Sequence, residues 1–158
     1  MNPLLNVPHR ENENILAEAV TSWMFTRDYA SQGLGIQIVE IGPGYSKLKM
    51  RVRRFMTNGH GICHGGIVFS LADSAFAFAC NSRNQKTVAA SCTIDFLASA
   101  RVGDELCAEA IEQSLRGRTG IYDVVVTDQS GKCVALFRGR SHRVEGEVMG
   151  RLKVGRQT

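Results

Sequence analysis

Nothing in this sequence repeats, and no stretch has the low-complexity or Pro/Gly/Ser-rich composition of a linker. At 158 residues the chain is therefore expected to form one domain, large enough for a substantial core. The N-terminal MNPLLNVPHRENEN has no basic segment followed by an apolar one, so no secretory signal is expected. An apolar run long enough for a bilayer is also missing. The longest, Gly65 to Cys80, is short and interrupted by polar residues. Strong charge is lacking too: a net +4 suits an anionic small ligand but is too slight to argue for nucleic acid. The five cysteines (Cys63, Cys80, Cys92, Cys107, Cys133) are odd in number, widely spaced and mostly set in apolar runs. That pattern indicates reduced thiols in the cytoplasm rather than a disulfide framework. The expectation is a soluble cytoplasmic protein with neither membrane nor nucleic acid as partner.

What is present is a pattern of elements. Residues 1–11 read as a tail. A helix is expected from Asn12 to about Gly33, capped by Asn12 or Asn14, with Ile15, Leu16, Ala19, Trp23 and Met24 at helical spacing. Leu34 to Ile41 reads as a strand, ended by the turn Gly42-Pro43-Gly44. From Tyr45 to Arg53 the residues alternate, Leu48, Met50 and Val52 on one face and Lys47, Lys49, Arg51 and Arg53 on a solvated other face. An irregular glycine-rich stretch, Phe55 to His64, leads into a helix from Gly65 to Asn81 that is apolar nearly all round. Strands are then expected over Thr87 to Leu97, Glu105 to Ser114, Gly120 to Thr127 and Lys132 to Val144. The domain would span residues 12–145, with a mobile basic tail over 146–158. Consecutive strands joined by short turns are antiparallel, so the class is α+β, one antiparallel sheet around the apolar helix. One sheet leaves such a helix partly bare, and a second copy of the chain is its natural cover.

The chemistry gathers on that helix. Asp73 is a carboxylate within an apolar helix, costly to bury unless paired or employed. It is either a structural acid bonded to backbone or to Ser70 or Ser74, or a functional one. Gly65 and Gly66 stand where the first amides lack partners and the helix dipole is positive. They either hold an oxyanion during acyl transfer or only turn the chain from loop to helix. Asp73 lies eight residues beyond Gly65, ~12 Å along the axis. It can face Gly65 only across a two-fold axis, in another chain. His64 can donate to a carbonyl, fix the loop or act as a base, and Asn58 offers both a donor and an acceptor. Two other arrangements carry less weight. A Cys63 nucleophile fails because its neighbour His64 points the other way along an extended segment. Zinc at His60, Cys63 and His64 lacks a second ligand cluster.

These residues carry a resemblance. The stretch from Asn58 to Asp95, with NGHGICHGG, LADSAFAFACNS and CTIDF, closely resembles hotdog-fold thioesterases of the PaaI type, from bacterial phenylacetic acid degradation. A weaker likeness extends from about Gly33 to Val144. The resemblance implies a curved antiparallel sheet wrapped round one long helix, a dimer with one continuous sheet, and a dimer of dimers. It implies hydrolysis of acyl-coenzyme A thioesters, with aryl-acetyl groups such as phenylacetyl or hydroxyphenylacetyl favoured, and no metal or redox cofactor. It assigns Asp73 as nucleophile or as base for water, Gly65 as carbonyl-polarising donor from the partner chain, and His64 and Asn58 as supporting residues. The turn Arg116-Gly117-Arg118-Thr119 matches in place a coenzyme-contacting hairpin of human relatives. One departure is Ala77, where related aryl thioesterases carry a hydroxyl one turn after the acid. The rival readings are a non-catalytic acyl-CoA-binding hotdog module and a hotdog enoyl-CoA hydratase or dehydratase.

Overall fold

The computed structural model describes residues 7–150. Helix α1 spans Val7–Phe25 and a short α2 spans Tyr29–Gly33. Strands β1 (Gln37–Gly42) and β2 (Tyr45–Arg51) follow, then a 3-10 turn at Arg54–Met56 and the central helix α3, Gly65–Asn81. The chain closes with β3 (Gln85–Phe96), β4 (Glu105–Arg116), β5 (Thr119–Thr127) and β6 (Cys133–Glu147). All six strands form one antiparallel sheet in the order β1-β2-β4-β5-β6-β3. Among the described residues no helix is long and apolar enough to cross a membrane.

The N-terminal segment departs from the sequence reading. Helix α1 begins at Val7, so residues 7–11 are helical rather than a tail, and Pro8 in the first turn costs no hydrogen bond. The helix also ends at Phe25, and the Asp28 side chain caps a separate α2. Its buried face is Ala17, Val20 and Thr21, whereas the bulkier Ile15, Leu16 and Trp23 are exposed. At the other end β6 continues to Glu147, past the expected Val144. The expected tails at residues 1–6 and 151–158 lie outside the described residues.

The sheet curves round α3 because alternate residues of each strand turn inward. Leu48 and Met50 on β2, Leu106, Ala108 and Ala110 on β4, and Tyr122, Val124 and Val126 on β5 are all buried against it. The helix supplies Val68, Leu71, Ala72, Ala75, Phe76, Phe78 and Ala79. The Phe76 ring lies 5.5 Å from Tyr122 and 5.8 Å from Phe137, centroid to centroid. It fits because β6 has Gly139 beneath it, where a Cβ would come within 2.8 Å of the ring. A buried hydroxyl, Ser46 Oγ, donates to the Ala75 carbonyl at 2.6 Å and fixes the helix on β2.

One side of this wrap stays open. Strand β3 is paired on one edge only, with β6, and most of its residues are exposed, including Val88 and Phe96. Beside it, α3 shows Gly66, Ser70, Asp73, Ser74 and Ala77 along one stripe at helical spacing.

Candidate active site

Three of the four central site residues are local to one another. The loop before α3 is closed by Asn58, whose Oδ1 accepts from the His60 amide at 2.9 Å and the Ile62 amide at 3.4 Å. Its acceptor is therefore occupied, and the side-chain Nδ2 remains as a donor. Backbone bonds from Cys63 N to Ala100 O and from His64 N to Met56 O, both 2.8 Å, pin the next residues. His64 is the N-cap of α3: its Nδ1 accepts from the Gly66 amide at 2.9 Å. A ring that accepts at Nδ1 carries its proton at Nε2, so His64 presents a donor rather than a base.

The Gly65 amide has no acceptor among the described residues. It opens the helix, with the positive end of the dipole behind it. A Cβ here would meet the Phe96 ring at 3.1 Å, so glycine lets that ring lie against the helix start. Asn58, Gly65 and Phe96 line a cleft of about 240 Å³, completed by Ile62, Cys63, Val68 and residues 97–100. The sequence reading missed Phe96 and residues 97–100 as part of the site. Their signal was the paired Phe96-Leu97 at the end of an alternating strand. Cys63 is buried here, and burial pushes its thiol pKa up, which disfavours the nucleophilic thiolate.

Asp73 is half-buried on the open stripe and has no hydrogen-bond partner among the described residues. The hydroxyls that would hold a structural acid are otherwise engaged. Ser70 Oγ donates to the Gly66 carbonyl at 2.8 Å, and Ser74 Oγ bonds Ser31 Oγ at 2.9 Å. Burial raises the Asp73 pKa above the ordinary carboxylate range, and the charge of Asp28 adds to it. Helix rise puts Asp73 ~12 Å from Gly65 of its own chain, beyond reach of a carbonyl held there.

The turn of Arg116, Gly117, Arg118 and Thr119 is exposed and joins β4 to β5. The structure places it at the other end of α3, beside Cys80, Arg83 and Arg143 and away from Gly65 of the same chain. Among the described residues no three His, Cys, Asp or Glu side chains group closely enough to hold a metal ion.

Comparison with known proteins finds relatives of this chain in sequence and in fold. Residues 60–135 match the family model of the thioesterase superfamily. The acyl-coenzyme A thioesterase PaaI of Escherichia coli K12 is 46% identical over 127 residues, covering 80% of this chain and 91% of that protein. The solved structure of the E. coli PaaI protein from the phenylacetic acid degradation operon superposes with a TM-score of 0.84 at 44% identity. The alignment covers 85% of this chain and 97% of that one. A mutant of the phenylacetic acid degradation protein PaaI from Thermus thermophilus gives a TM-score of 0.72 at 38% identity, covering 74% and 100%. By these matches and its single helix within a curved antiparallel sheet, the chain belongs to the hotdog-fold thioesterase superfamily.

Proposed function

We propose that this protein hydrolyses acyl-coenzyme A thioesters, aryl-acetyl esters such as phenylacetyl- or hydroxyphenylacetyl-CoA foremost, at sites shared between two chains. The observation that carries this is the state of Asp73: a half-buried carboxylate with a raised pKa and no partner among the described residues, on the face of α3 its own sheet leaves open. Such a group is poised to act on a ligand or on a group from a second chain.

Two chains pair antiparallel through the free edges of β3, and their α3 helices meet face to face. For Asp73 of one chain to face Gly65 of the other, the two-fold axis must pass α3 at the level of Phe69, midway between them. The same rotation carries each Arg116–Thr119 turn toward the partner's Gly65, where the arginines can meet coenzyme A phosphates. Two such dimers form the tetramer. The cytoplasm suits a chain whose five thiols are all free.

In the reaction the thioester carbonyl oxygen accepts from Gly65 N–H, at the positive end of α3. His64 Nε2–H and Asn58 Nδ2 support and orient. Asp73 of the other chain attacks the carbonyl carbon, or takes a proton from the water that does. Negative charge then builds on the oxygen, where the waiting amide stabilises it. As the tetrahedral centre collapses, the C–S bond breaks and coenzyme A leaves as a thiolate with the bonding pair. Where Asp73 itself attacks, water then hydrolyses the acyl-Asp73 anhydride, releasing the acid and restoring the carboxylate. Net, one water and one thioester give a carboxylic acid and a thiol. The chain's own groups supply orientation and oxyanion stabilisation, which suffices for an already reactive thioester.

Thiol release from a panel of acyl-CoA esters tests this, wild type against Asp73→Asn. Release by wild type, fastest on aryl-acetyl esters and lost in the variant, is expected. Tight binding without release would favour a binding module, and hydration of an enoyl ester would favour a hydratase. Wild-type kcat in Asp73→Asn would remove that residue from the mechanism.

A further inference from the structure

Asp73 has no hydrogen-bond partner among the described residues, yet the residue after it is tied down from outside the helix. Ser31, on α2 and buried, donates its hydroxyl proton to Asp28 Oδ2 at 2.6 Å, while its backbone amide donates to Asp28 Oδ1 at 2.9 Å. A serine hydroxyl has a single proton to give. The 2.9 Å contact between Ser31 Oγ and Ser74 Oγ is therefore a bond donated by Ser74. A chain of bonds thus runs in one direction, from Ser74 on α3 through Ser31 to the Asp28 carboxylate in the α1–α2 turn.

We propose that Asp28 is a positioning residue for Asp73: acting through Ser31 and Ser74, it anchors the catalytic turn of α3 and keeps a fixed anion on the flank of the attacking carboxylate. This rests on the thioesterase reading above. Three titratable groups face Asp73: Asp28 from the α1–α2 turn, Cys92 from β3 and Cys80 from further along α3. Both thiol pKa values are raised, by burial first and then by Asp73 itself, so the thiols stay neutral near pH 7. Among the described residues, β1, β2, β4, β5 and β6 bring no charge to bear on Asp73. Among the described residues Asp28 is thus the one charge that Asp73 senses, and it belongs to the segment that also holds the hydroxyl of the next residue, Ser74. The anion makes Asp73 a stronger base, and the serine bridge stops its turn from drifting. A capping aspartate alone would need no link to α3. The bridge through two hydroxyls makes this one part of the site.

The test is the pH profile of kcat/KM for thioester hydrolysis, together with carbon-13 titration of the Asp73 carboxyl, in wild type, Asp28→Asn, Asp28→Ser and Asp28→Glu. Serine keeps a good helix cap without charge, so the α2 turn survives in that variant. Removing the anion should lower the Asp73 titration and carry the acid limb of kcat/KM downward with it. Asp28→Glu should leave both in place. Ser74→Ala should lower kcat several-fold at constant KM without moving the limb. An Asp73 titration that is unmoved in both uncharged variants would overturn the proposal, as would a merely structural outcome of lowered melting temperature with an unshifted profile. A wild type that releases no coenzyme A overturns the thioesterase reading instead, while the carboxyl titration still decides the link to Asp28.

Discussion

At the C-terminal end of α3 the polar side chains are tied down, whereas on its open stripe the Asp73 carboxylate has no partner among the described residues. Asn81 is buried, and its amide donates to the carbonyls of Ala77 (2.9 Å) and Thr87 (3.0 Å) while accepting from the Thr87 amide (2.9 Å). Ser82 Oγ donates to the Ala79 carbonyl and accepts from the Gly44 amide. Nearby, Glu112 takes bonds from Arg83 and from the Tyr122 hydroxyl, each at 2.7 Å. By contrast, the Gly65 amide at the helix start and the Asp73 carboxylate on the stripe have no partner among the described residues, although Ser70 and Ser74 do. Two polar clusters on one helix are thus distinguished by satisfaction. The satisfied one joins helix to sheet, and the unsatisfied pair is the one the proposed shared site would use.

The two acids titrate in opposite senses, for the same reason. Burial raises the Asp73 pKa, the charge of Asp28 adds to it, and no described residue offsets them. Burial would also raise Glu112, but the bonds from Arg83 and Tyr122 outweigh it and hold that carboxyl below its usual range. Glu112 therefore contributes stability that is present above the ordinary carboxylate range and lost as pH falls through its lowered pKa. Asp73 does the reverse. Its ionised form costs stability once the pH exceeds its raised pKa, and the cost vanishes below the ordinary range.

Substitutions should break the comparison along this line. The largest effect is expected from Asp73→Asn, a fall in kcat on the order of 10³-fold, read by coenzyme A release. Gly65→Pro comes next, at roughly 10²-fold. Proline is accepted at a first helical position, and His64 already holds the extended backbone that precedes proline. The loss is then chiefly that of one N–H donor, with a shift of a few tenths of an ångström in the exposed Phe96 ring that the new Cβ would meet at 3.1 Å. Circular dichroism can verify that the protein is folded. On the satisfied side, Asn81→Ala should cost about 2–3 kcal/mol in denaturant unfolding, since it orphans buried backbone groups. Its kcat, measured well below the melting temperature, should stay within a few-fold of wild type. Tyr122→Phe, which removes one bond to Glu112, should cost only about 1 kcal/mol. The smallest change should be a gain: Asp73→Asn should raise Tm at pH 7 by on the order of 2 °C, and that gain should disappear below the ordinary carboxylate range.

Much of this was readable in the sequence where information is local. The bounds of α3 follow from His64-Gly65-Gly66 at its start and from the end of its apolar pattern at Asn81. The four central strands declared themselves by period-two alternation. Helix α1 was harder, because Ile15, Leu16 and Trp23 outweigh Ala17 and Val20 in any hydrophobic count, yet the small residues are the ones that fit against the fold. Size is not burial. The contact of Phe96 with Gly65 and the bridge from Ser31 to Ser74, 43 residues apart, depend on tertiary packing that no periodicity records. The neighbourhood of Asp73 could be suspected from an acid in an apolar helix. Its lack of a partner could not.

The central claim is that one site draws Asp73 from one chain and Gly65 from another, and complementation tests it most directly. Asp73→Asn and Gly65→Pro chains, each inactive alone, are refolded together, and coenzyme A release from phenylacetyl-CoA is measured on purified heterodimers. A shared site predicts recovery of about half the wild-type rate per dimer, because one of the two sites regains both intact residues. Heterodimers that form and stay as inactive as their parents would contradict it.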